Sequence, residues 1–175
     1  MLLEIASAGV YRPLWSSAIL TELDRTLRLL QGKRGIDTEA TDAYLTRLLQ
    51  QMHLSFPDAL VVDWEALVTS VVLPDPDDRH VVAAARAGRA DVIVTDNLAD
   101  FPPTALPGAV SRQSLDEFLL DCLDLHPDPV VASIGAVAAR TGRSGPRMTS
   151  AQVASYLCTH GAPEFGRRVL AHVQP

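Results

Sequence analysis

A chain of 175 residues with 47 % apolar content can bury the core of one domain with a small appendage, which excludes an intrinsically disordered protein. The net charge of −6 and the calculated pI of about 5.2 exclude a protein that coats nucleic acid through a generally basic surface. A nuclease whose carboxylates surround a metal ion is compatible with this charge.

Helical spacing of apolar residues, together with capping residues, glycines and prolines, predicts the secondary structure. The first half is predicted to contain, in chain order, a helix over 1–8 closed by Gly9, a strand over 11–15, helices over 16–30 and 37–52, a strand over 60–62 and a short helix over 64–70. The second half is predicted to contain a helix over 78–87 stopped by Gly88, a strand over 92–95, a brief strand over 109–111 and helices over 114–123, 130–140, 149–158 and 163–172.

Strands that alternate with helices indicate an α/β domain with a parallel sheet covered by helices. The stretch His126-Pro-Asp-Pro129 favours a boundary between a domain over residues 1–125 and a helical extension over residues 126–175. Ligands of parallel sheets bind beyond the carboxyl ends of the strands, which is where Asp96 and Asn97 are expected.

Two groups of oxygen-bearing side chains stand out between Pro74 and Phe101. Asp75, Asp77 and Asp78 precede an apolar helical run, and a second group follows the strand predicted over 92–95. That second group consists of Asp96, Asn97 and Asp100. A helix that returns to a parallel strand can bring both groups into one crevice, where carboxylates would suit Mg²⁺ or Mn²⁺. Metal-assisted chemistry on a phosphate is therefore the leading hypothesis.

Three motifs carry a resemblance to a known family. They are Y-R-P-L-W-S-S-A-I-L-T-E-L (11–23), D-P-D-D-R-H-V-V-A-A-A-R-A-G (75–88) and A-D-V-I-V-T-D-N-L-A-D-F-P (90–102). Their order resembles a PIN domain, a metal-dependent nuclease fold common among bacterial toxins of toxin–antitoxin pairs (VapC-like). The resemblance covers roughly residues 1–120, and the tail resembles the helical extension of one PIN subgroup.

The resemblance implies a three-layer α/β/α fold with a parallel sheet, from which the first, central strand is missing here. It also implies four acidic positions around one or two Mg²⁺ or Mn²⁺ ions, the first of which would precede residue 1. The other implied catalytic residues are Glu22, Asp78, Asp96, Asn97 and Asp100. Among them Glu22, Asp78 and Asp96 are expected to bind metal, and Thr95 and Arg79 are expected to contact substrate.

Each of these residues also has a simpler structural interpretation. Asp78 can be a helix N-cap, and Glu22 can pair with Arg25 on a helix surface. Asp96 and Asn97 suit a turn, as does Asp75 before Pro76. His80 is interpreted as a packed or surface histidine rather than a catalytic base.

The functional hypothesis is a metal-dependent endoribonuclease that acts on single-stranded or looped RNA, as the toxin of a toxin–antitoxin pair. The alternative is a catalytically incomplete PIN-like module that binds or regulates. A phosphatase-like domain with an aspartyl nucleophile is disfavoured, since it would require an early D-x-D motif after a strand. RNA and an antitoxin are the expected partners, and a homo-oligomer is left open.

The missing central strand would leave two apolar strand edges unpaired, and such edges recruit another strand. Either the true start lies upstream, or a partner protein donates the strand and its aspartate. The two cysteines, Cys122 and Cys158, lack metal-ligand spacing and suggest buried thiols in a reducing compartment. Since no signal peptide or membrane span is recognised, a cytoplasmic protein is expected.

Overall fold

The computed structural model describes residues 1–108, 110–142 and 145–173, and in these residues helices far outnumber strands. The helices are α1 (Leu2–Ser7), α2 (Ser17–Lys33), α3 (Thr38–Ser55), α4 (Glu65–Val68), α5 (Arg79–Gly88), α6 (Leu115–Leu125), α7 (Pro127–Arg140), α8 (Ser150–Thr159) and α9 (Pro163–Val173). The strands are β1 (Trp15–Ser16), β2 (Leu60–Val61), β3 (Val92–Val94) and β4 (Ser111–Gln113).

The four strands of the described residues form two separate pairs, β1 with β2 and β3 with β4. The first pair is parallel, with Trp15 opposite Leu60 and Ser16 opposite Val61. In the second pair Ser111 N donates to Asp91 O at 2.8 Å and Thr95 N donates to Gln113 O at 2.9 Å. These two bonds advance in the same direction along both segments, so β3 and β4 are also parallel.

The observed strands are shorter than predicted, and two of the predicted positions were wrong in part. The strand predicted over 11–15 includes only Trp15 of that range, because Pro13 has no N–H to donate to a ladder. The strand predicted over 109–111 begins at Ser111 and continues to Gln113, and residue 109 lies outside the described residues. The three-layer arrangement and the missing central strand stay predictions.

Helix starts agree well with the capping signals in the sequence. Ser16 accepts a hydrogen bond from Ile19 N at 3.3 Å, and Asp37 accepts one from Ala40 N at 2.8 Å. Ser114 and Glu117 form a capping box at the start of α6, with both reciprocal hydrogen bonds present. One boundary was wrong: α7 begins at Pro127 rather than near residue 130, since proline is tolerated in the first helical turn.

Spatial contacts divide the chain into two compact units. The helical unit comprises Met1–Arg12, Val94–Ala99 and Arg112–Pro175, and the mixed unit comprises Pro13–Ile93 and Asp100–Ser111. The domains predicted over residues 1–125 and 126–175 are continuous in sequence, whereas each of these units combines separate segments of the chain. The predicted domain boundary stays a prediction. Helix α1 belongs to the helical unit because it packs on α7, where Glu4 forms an ion pair with Arg140.

The core of the helical unit lies between helices α6 to α9. Its fully buried side chains include Leu119 of α6, Ile134 of α7, Ala154 of α8 and Phe165 of α9. Asp116 accepts hydrogen bonds from the amides of Glu164 and Phe165 at 3.1 and 2.8 Å, which satisfies the free N–H groups at the start of α9.

One core cluster of the mixed unit includes residues of α5 and of the chain segments on either side of that helix. It consists of Val71, Leu73, Val82, Ala83, Ala85, Ile93 and Phe101, all nearly inaccessible to solvent. We call these seven residues the anchor cluster. Short alanines in α5 allow the neighbouring segments to approach the helix closely.

Gly166 allows α9 to approach α8, and we expect Gly166→Ala to destabilise the helical unit by about 1–3 kcal/mol. An added Cβ would lie 2.5 Å from Cys158 Sγ and 2.7 Å from the backbone oxygen of Ala154, which cannot move aside without displacing the helix. Equilibrium denaturation followed by circular dichroism measures the effect.

The matched control is Gly135→Ala in α7, because, apart from the chain neighbours and the helix's own backbone, no atom of the described residues lies within 4 Å of the added Cβ there. That substitution should stabilise the protein by about 0.5–1 kcal/mol, as expected when alanine replaces glycine inside a helix. Equal effects of the two substitutions would contradict the packing described for α8 and α9.

Candidate metal centre

Three carboxylates converge in the mixed unit. Asp75, Asp78 and Asp100 each offer one oxygen, and the three oxygens all lie within 4.8 Å of one another. Asp75 is exposed, whereas Asp78 and Asp100 are partly buried. We call these three residues the aspartate triad. Sequence reasoning named Asp78 and Asp100 as catalytic candidates, whereas Asp75 was grouped with Asp78 among the carboxylates of the crevice but interpreted as a turn residue.

A tight turn brings Asp75 and Asp78 together. Asp75 Oδ1 accepts a hydrogen bond from Asp77 N at 2.9 Å and thereby begins a 3₁₀ turn over Pro76–Asp78. Helix α5 starts directly after this turn, with Asp78 in the N-cap position. The turn role predicted for Asp75 is confirmed, and the spacing D-x-x-D across a proline turn was the available signal for its second role.

Each carboxylate of the triad has a residue of the anchor cluster close to it in the sequence. Leu73 precedes Asp75 by two residues, Val82 follows Asp78 by four, and Phe101 follows Asp100 directly. These three apolar side chains are 6 %, 1 % and 3 % exposed, respectively. Because their burial fixes the backbone on each side of the triad, the carboxylates cannot easily move apart to relieve their repulsion.

Electrostatics in the triad disfavour the ionised form of Asp78. Partial burial raises the pKa of Asp78 above its ordinary value, and the negative charges of Asp75, Asp100 and Glu22 raise it further, whereas His80 acts in the opposite direction. A divalent cation would offset both effects, because it favours the ionised carboxylates. Such mutual repulsion is typical of sites that bind cations.

Glu22 of α2 lies close enough to contribute to this field, as the sequence predicted. Its Oε2 atom is 3.4 Å from Nε2 of His80, which follows Asp78 by two residues in the first turn of α5. His80 is only 9 % exposed, and its Nδ1 atom lies 2.7 Å from the backbone oxygen of Asp77. The interpretation of His80 as a packed histidine is confirmed, but its contact with Glu22 was missed.

Arg79, which lies between Asp78 and His80 in the sequence, carries a buried polar atom that is left unsatisfied. Its Nε atom is buried and has no hydrogen-bond partner among the described residues. A buried guanidinium N–H without an acceptor is costly unless a ligand supplies one. This observation is compatible with the predicted contact between Arg79 and a substrate phosphate, which stays a prediction.

The remaining candidates lie in the helical unit, where they have structural partners of their own. Asp96 Oδ1 accepts a hydrogen bond from Leu115 N at 3.2 Å, which caps the start of α6. Thr95 Oγ1 accepts a hydrogen bond from Asn97 N at 3.1 Å, which fits the turn that the Asp96-Asn97 dipeptide favours. The metal role predicted for Asp96, the catalytic role predicted for Asn97 and the substrate contact predicted for Thr95 all stay predictions.

The donor set of the triad fits Mg²⁺ or Mn²⁺. Carboxylate oxygens are the ligands that these cations prefer, whereas a thiolate site would favour zinc or copper. Both cysteines are free thiols, and burial raises the pKa of Cys122 to about 11, so its thiol stays protonated near neutral pH. The three carboxylates of the triad therefore suit an oxygen-ligated divalent cation.

We predict that Asp78→Asn raises the free energy of unfolding of the metal-free protein at pH 7, because the amide removes a charge that the fold disfavours. The pKa of Asp78 is higher in the folded chain than its unfolded value of 3.8. The native state therefore loses stability as the pH rises from the unfolded pKa through the folded pKa of Asp78. The stability gained by Asp78→Asn should vanish below the unfolded pKa of Asp78, where the carboxyl group is protonated in both states. Denaturation between about pH 3 and pH 7 measures it.

Asp124→Asn provides a control of opposite sign. Hydrogen bonds from Arg168 lower the pKa of Asp124, so that its ionised form stabilises the folded chain above the unfolded pKa and this contribution is lost in acid. Asp124→Asn should therefore reduce stability at pH 7. A loss of stability in Asp78→Asn at pH 7 would contradict the electrostatic account of the triad.

Known proteins match two parts of the chain. The PIN domain model matches residues 1–99, which is more than half of the chain, and the model of the VapC50 C-terminal domain matches residues 115–171. Over 58 residues the chain is 52 % identical to a candidate ribonuclease, VapC50 of Mycobacterium tuberculosis (strain ATCC 25618 / H37Rv).

That stretch makes up 33 % of this chain and 34 % of the relative, so the chain spans about a third of the length of the curated relative it matches. No solved structure is significantly similar to the chain. The match over residues 1–99, which includes Glu22, Asp75 and Asp78, shows that the chain belongs to the PIN-domain family, in its VapC-like branch.

Proposed function

We propose that the protein is a metal-dependent endoribonuclease of PIN type that hydrolyses RNA phosphodiesters as the toxin of a toxin–antitoxin pair. The convergence of Asp75, Asp78 and Asp100 within 4.8 Å carries the proposal, because it gives a PIN-family chain a site for a hard cation. The name of the relative, a candidate ribonuclease, supports RNA as the substrate.

In this proposal the aspartate triad and Glu22 hold Mg²⁺ or Mn²⁺. When bound, such an ion activates water and stabilises the negative charge that develops on the scissile phosphate. The residues of the chain contribute rigidity: the anchor cluster fixes the carboxylates, whose repulsion favours cation binding. The catalytic roles of Asp96 and Asn97 and the substrate contact of Thr95 remain part of the proposal on grounds of family resemblance alone.

Arg79 is the proposed contact to the substrate phosphate. Its buried Nε–H lacks an acceptor among the described residues and is adjacent in sequence to Asp78. A guanidinium can bind a phosphate through two parallel hydrogen bonds, which a lysine cannot do. Because the chain carries a net charge of −6, such local contacts rather than a general basic surface would hold RNA.

The partners follow from the proposed activity. An antitoxin protein would bind the chain and suppress cleavage, and a homo-oligomer is compatible with the proposal. No helix in the part of the chain that the structure describes is both long and apolar enough to cross a membrane. A cytoplasmic location is proposed because RNA is the substrate and because both cysteines are free thiols.

We further propose that a strand absent from this chain completes the sheet, supplied by an upstream segment or by a partner. The support is that the described strands form two pairs rather than one sheet, and two-stranded pairs have little stability of their own. Backbone addition at an unpaired edge is a common mode of protein association. The added strand would also supply the remaining aspartate of the site.

The second candidate function is a PIN-like module that binds or regulates without cleaving. The separation of the strands into two pairs favours it, because a site that needs another segment would be inactive in this chain alone. Cation binding without RNA cleavage would distinguish this module from an enzyme.

We expect the purified chain to cleave single-stranded RNA in the presence of Mg²⁺ or Mn²⁺ and to lose activity when the cation is chelated. Asp78→Asn should lower kcat by about 10²–10³-fold, because it removes a ligand that acts directly on the cation. Gel analysis of end-labelled RNA measures the rate.

Asp128→Asn, an exposed carboxylate at the start of α7, is the matched control and should leave the rate unchanged. An equal loss in both variants would contradict the assignment of the site to the triad. If the chain binds the cation but cleaves no RNA, the regulatory module replaces the enzyme as the proposed function.

The strand proposal predicts a specific pattern of amide hydrogen exchange in β3. Asp91 and Thr95 bond to the β4 segment, so the alternation of a parallel ladder turns the amide of Ile93 toward β4 and those of Val92 and Val94 toward the opposite edge. In the chain alone, Val92 and Val94 should exchange at least about tenfold faster than Ile93. Equal protection of all three amides, measured by NMR, would show that this edge is already paired.

A further inference from the structure

His80 combines deep burial with an unsatisfied ring nitrogen. The residue is 9 % exposed, and its Nδ1 atom lies 2.7 Å from the backbone oxygen of Asp77. A carbonyl oxygen can only accept a hydrogen bond, so Nδ1 carries the hydrogen. In the neutral imidazole, Nε2 is then left with a lone pair and no hydrogen.

That lone pair faces a carboxylate. The Nε2 atom is buried and makes no hydrogen bond to any described residue, yet it lies 3.4 Å from Oε2 of Glu22. Two acceptor atoms that face each other at this distance repel unless a positive charge lies between them. The charge can be a proton on the imidazole or a metal ion that both atoms ligate.

The surroundings of His80 have the features of a metal-binding histidine. Such histidines usually donate their second ring N–H to a carbonyl or carboxylate oxygen, which fixes the ring and directs the free nitrogen at the ion. Here the Asp77 carbonyl provides that contact, and the ring of Trp64 packs edge-on at a centroid distance of 6.2 Å. The imidazole is therefore held in place before any ion binds.

The separation of the two atoms also fits a shared cation. Two adjacent ligands of an octahedral ion, each about 2.1 Å from the metal, lie about 3 Å apart, close to the observed separation. Glu22 and His80 both contribute to the electrostatic field at Asp78, in opposite directions. The buried, unpartnered nitrogen of His80 faces the carboxylate of Glu22, and His80 lies next to the aspartate triad in the sequence but outside that group of three.

We propose that His80 Nε2 and Glu22 Oε2 ligate the same divalent cation and that this nitrogen makes the site prefer Mn²⁺ to Mg²⁺. Mg²⁺ selects oxygen ligands and retains its water, whereas first-row transition ions accept imidazole readily. The inference rests on the proposed metal-dependent function. It adds a nitrogen ligand to a site that otherwise consists of carboxylates.

The test is pulsed electron paramagnetic resonance of Mn²⁺ bound to the full chain, which detects the ¹⁴N nucleus of a coordinated imidazole. We expect ¹⁴N modulation in the wild type, its loss in His80→Gln and its retention in His53→Gln, which alters an exposed histidine of α3. Competition titrations should show Mn²⁺ affinity reduced about tenfold in His80→Gln, with Mg²⁺ affinity changed by less than about twofold.

Two outcomes would overturn the inference separately from the proposed function. In the first outcome, Mn²⁺ binds the wild type without ¹⁴N modulation, and the binding is lost in Asp78→Asn. This result supports the carboxylate site but shows that His80 is not a ligand and that only a proton lies between His80 and Glu22. The absence of any Mn²⁺ binding overturns both proposals. If His80→Gln fails to fold, the wild-type protein is labelled with ¹⁵N-histidine instead. The ¹⁴N modulation in the spectrum of bound Mn²⁺ should then be replaced by ¹⁵N coupling, and an unchanged spectrum overturns the inference.

Discussion

Repulsion among carboxylates that an apolar core holds in place is the constraint on which the candidate site depends. Asp75, Asp78 and Asp100 lie close together, and Leu73, Val82 and Phe101 are buried close to them in the sequence. Burial of apolar side chains contributes roughly 1.5–3 kcal/mol per residue, which holds the backbone near each carboxylate in place. Partial burial and the neighbouring negative charges raise the pKa of Asp78, and a bound cation would favour its ionised form.

Two polar groups that follow Asp78 in the sequence are incompletely satisfied. The buried Nε of Arg79 and Nε2 of His80 have no hydrogen-bond partner among the described residues, although native folds rarely leave such atoms unpaired. Both residues belong to the first turn of α5, directly after Asp78. Unsatisfied groups of both polarities next to clustered carboxylates are expected where a cation and a phosphate complete the contacts.

Local signals predicted much of this arrangement from the sequence. Capping signals at residues 16 or 17, at residues 37 or 38 and at Ser114 located helix starts, because an N-cap depends on neighbouring atoms only. The caps in the structure are Ser16, Asp37 and Ser114. The site role of Asp75 was not predicted although it was grouped with Asp78, and the contact of His80 with Glu22 was missed, since both depend on side-chain placement. Strand lengths were overestimated because residues of high β propensity do not by themselves specify which backbone groups find a partner.

A crystal of the full chain soaked in Mn²⁺ and examined by anomalous scattering tests the central claim most directly. The account predicts an anomalous peak within ligand distance, about 2.0–2.3 Å, of oxygens from Asp75, Asp78 and Asp100. A peak at some other group of residues, or none at the triad while the three carboxylates keep their positions, would contradict the account.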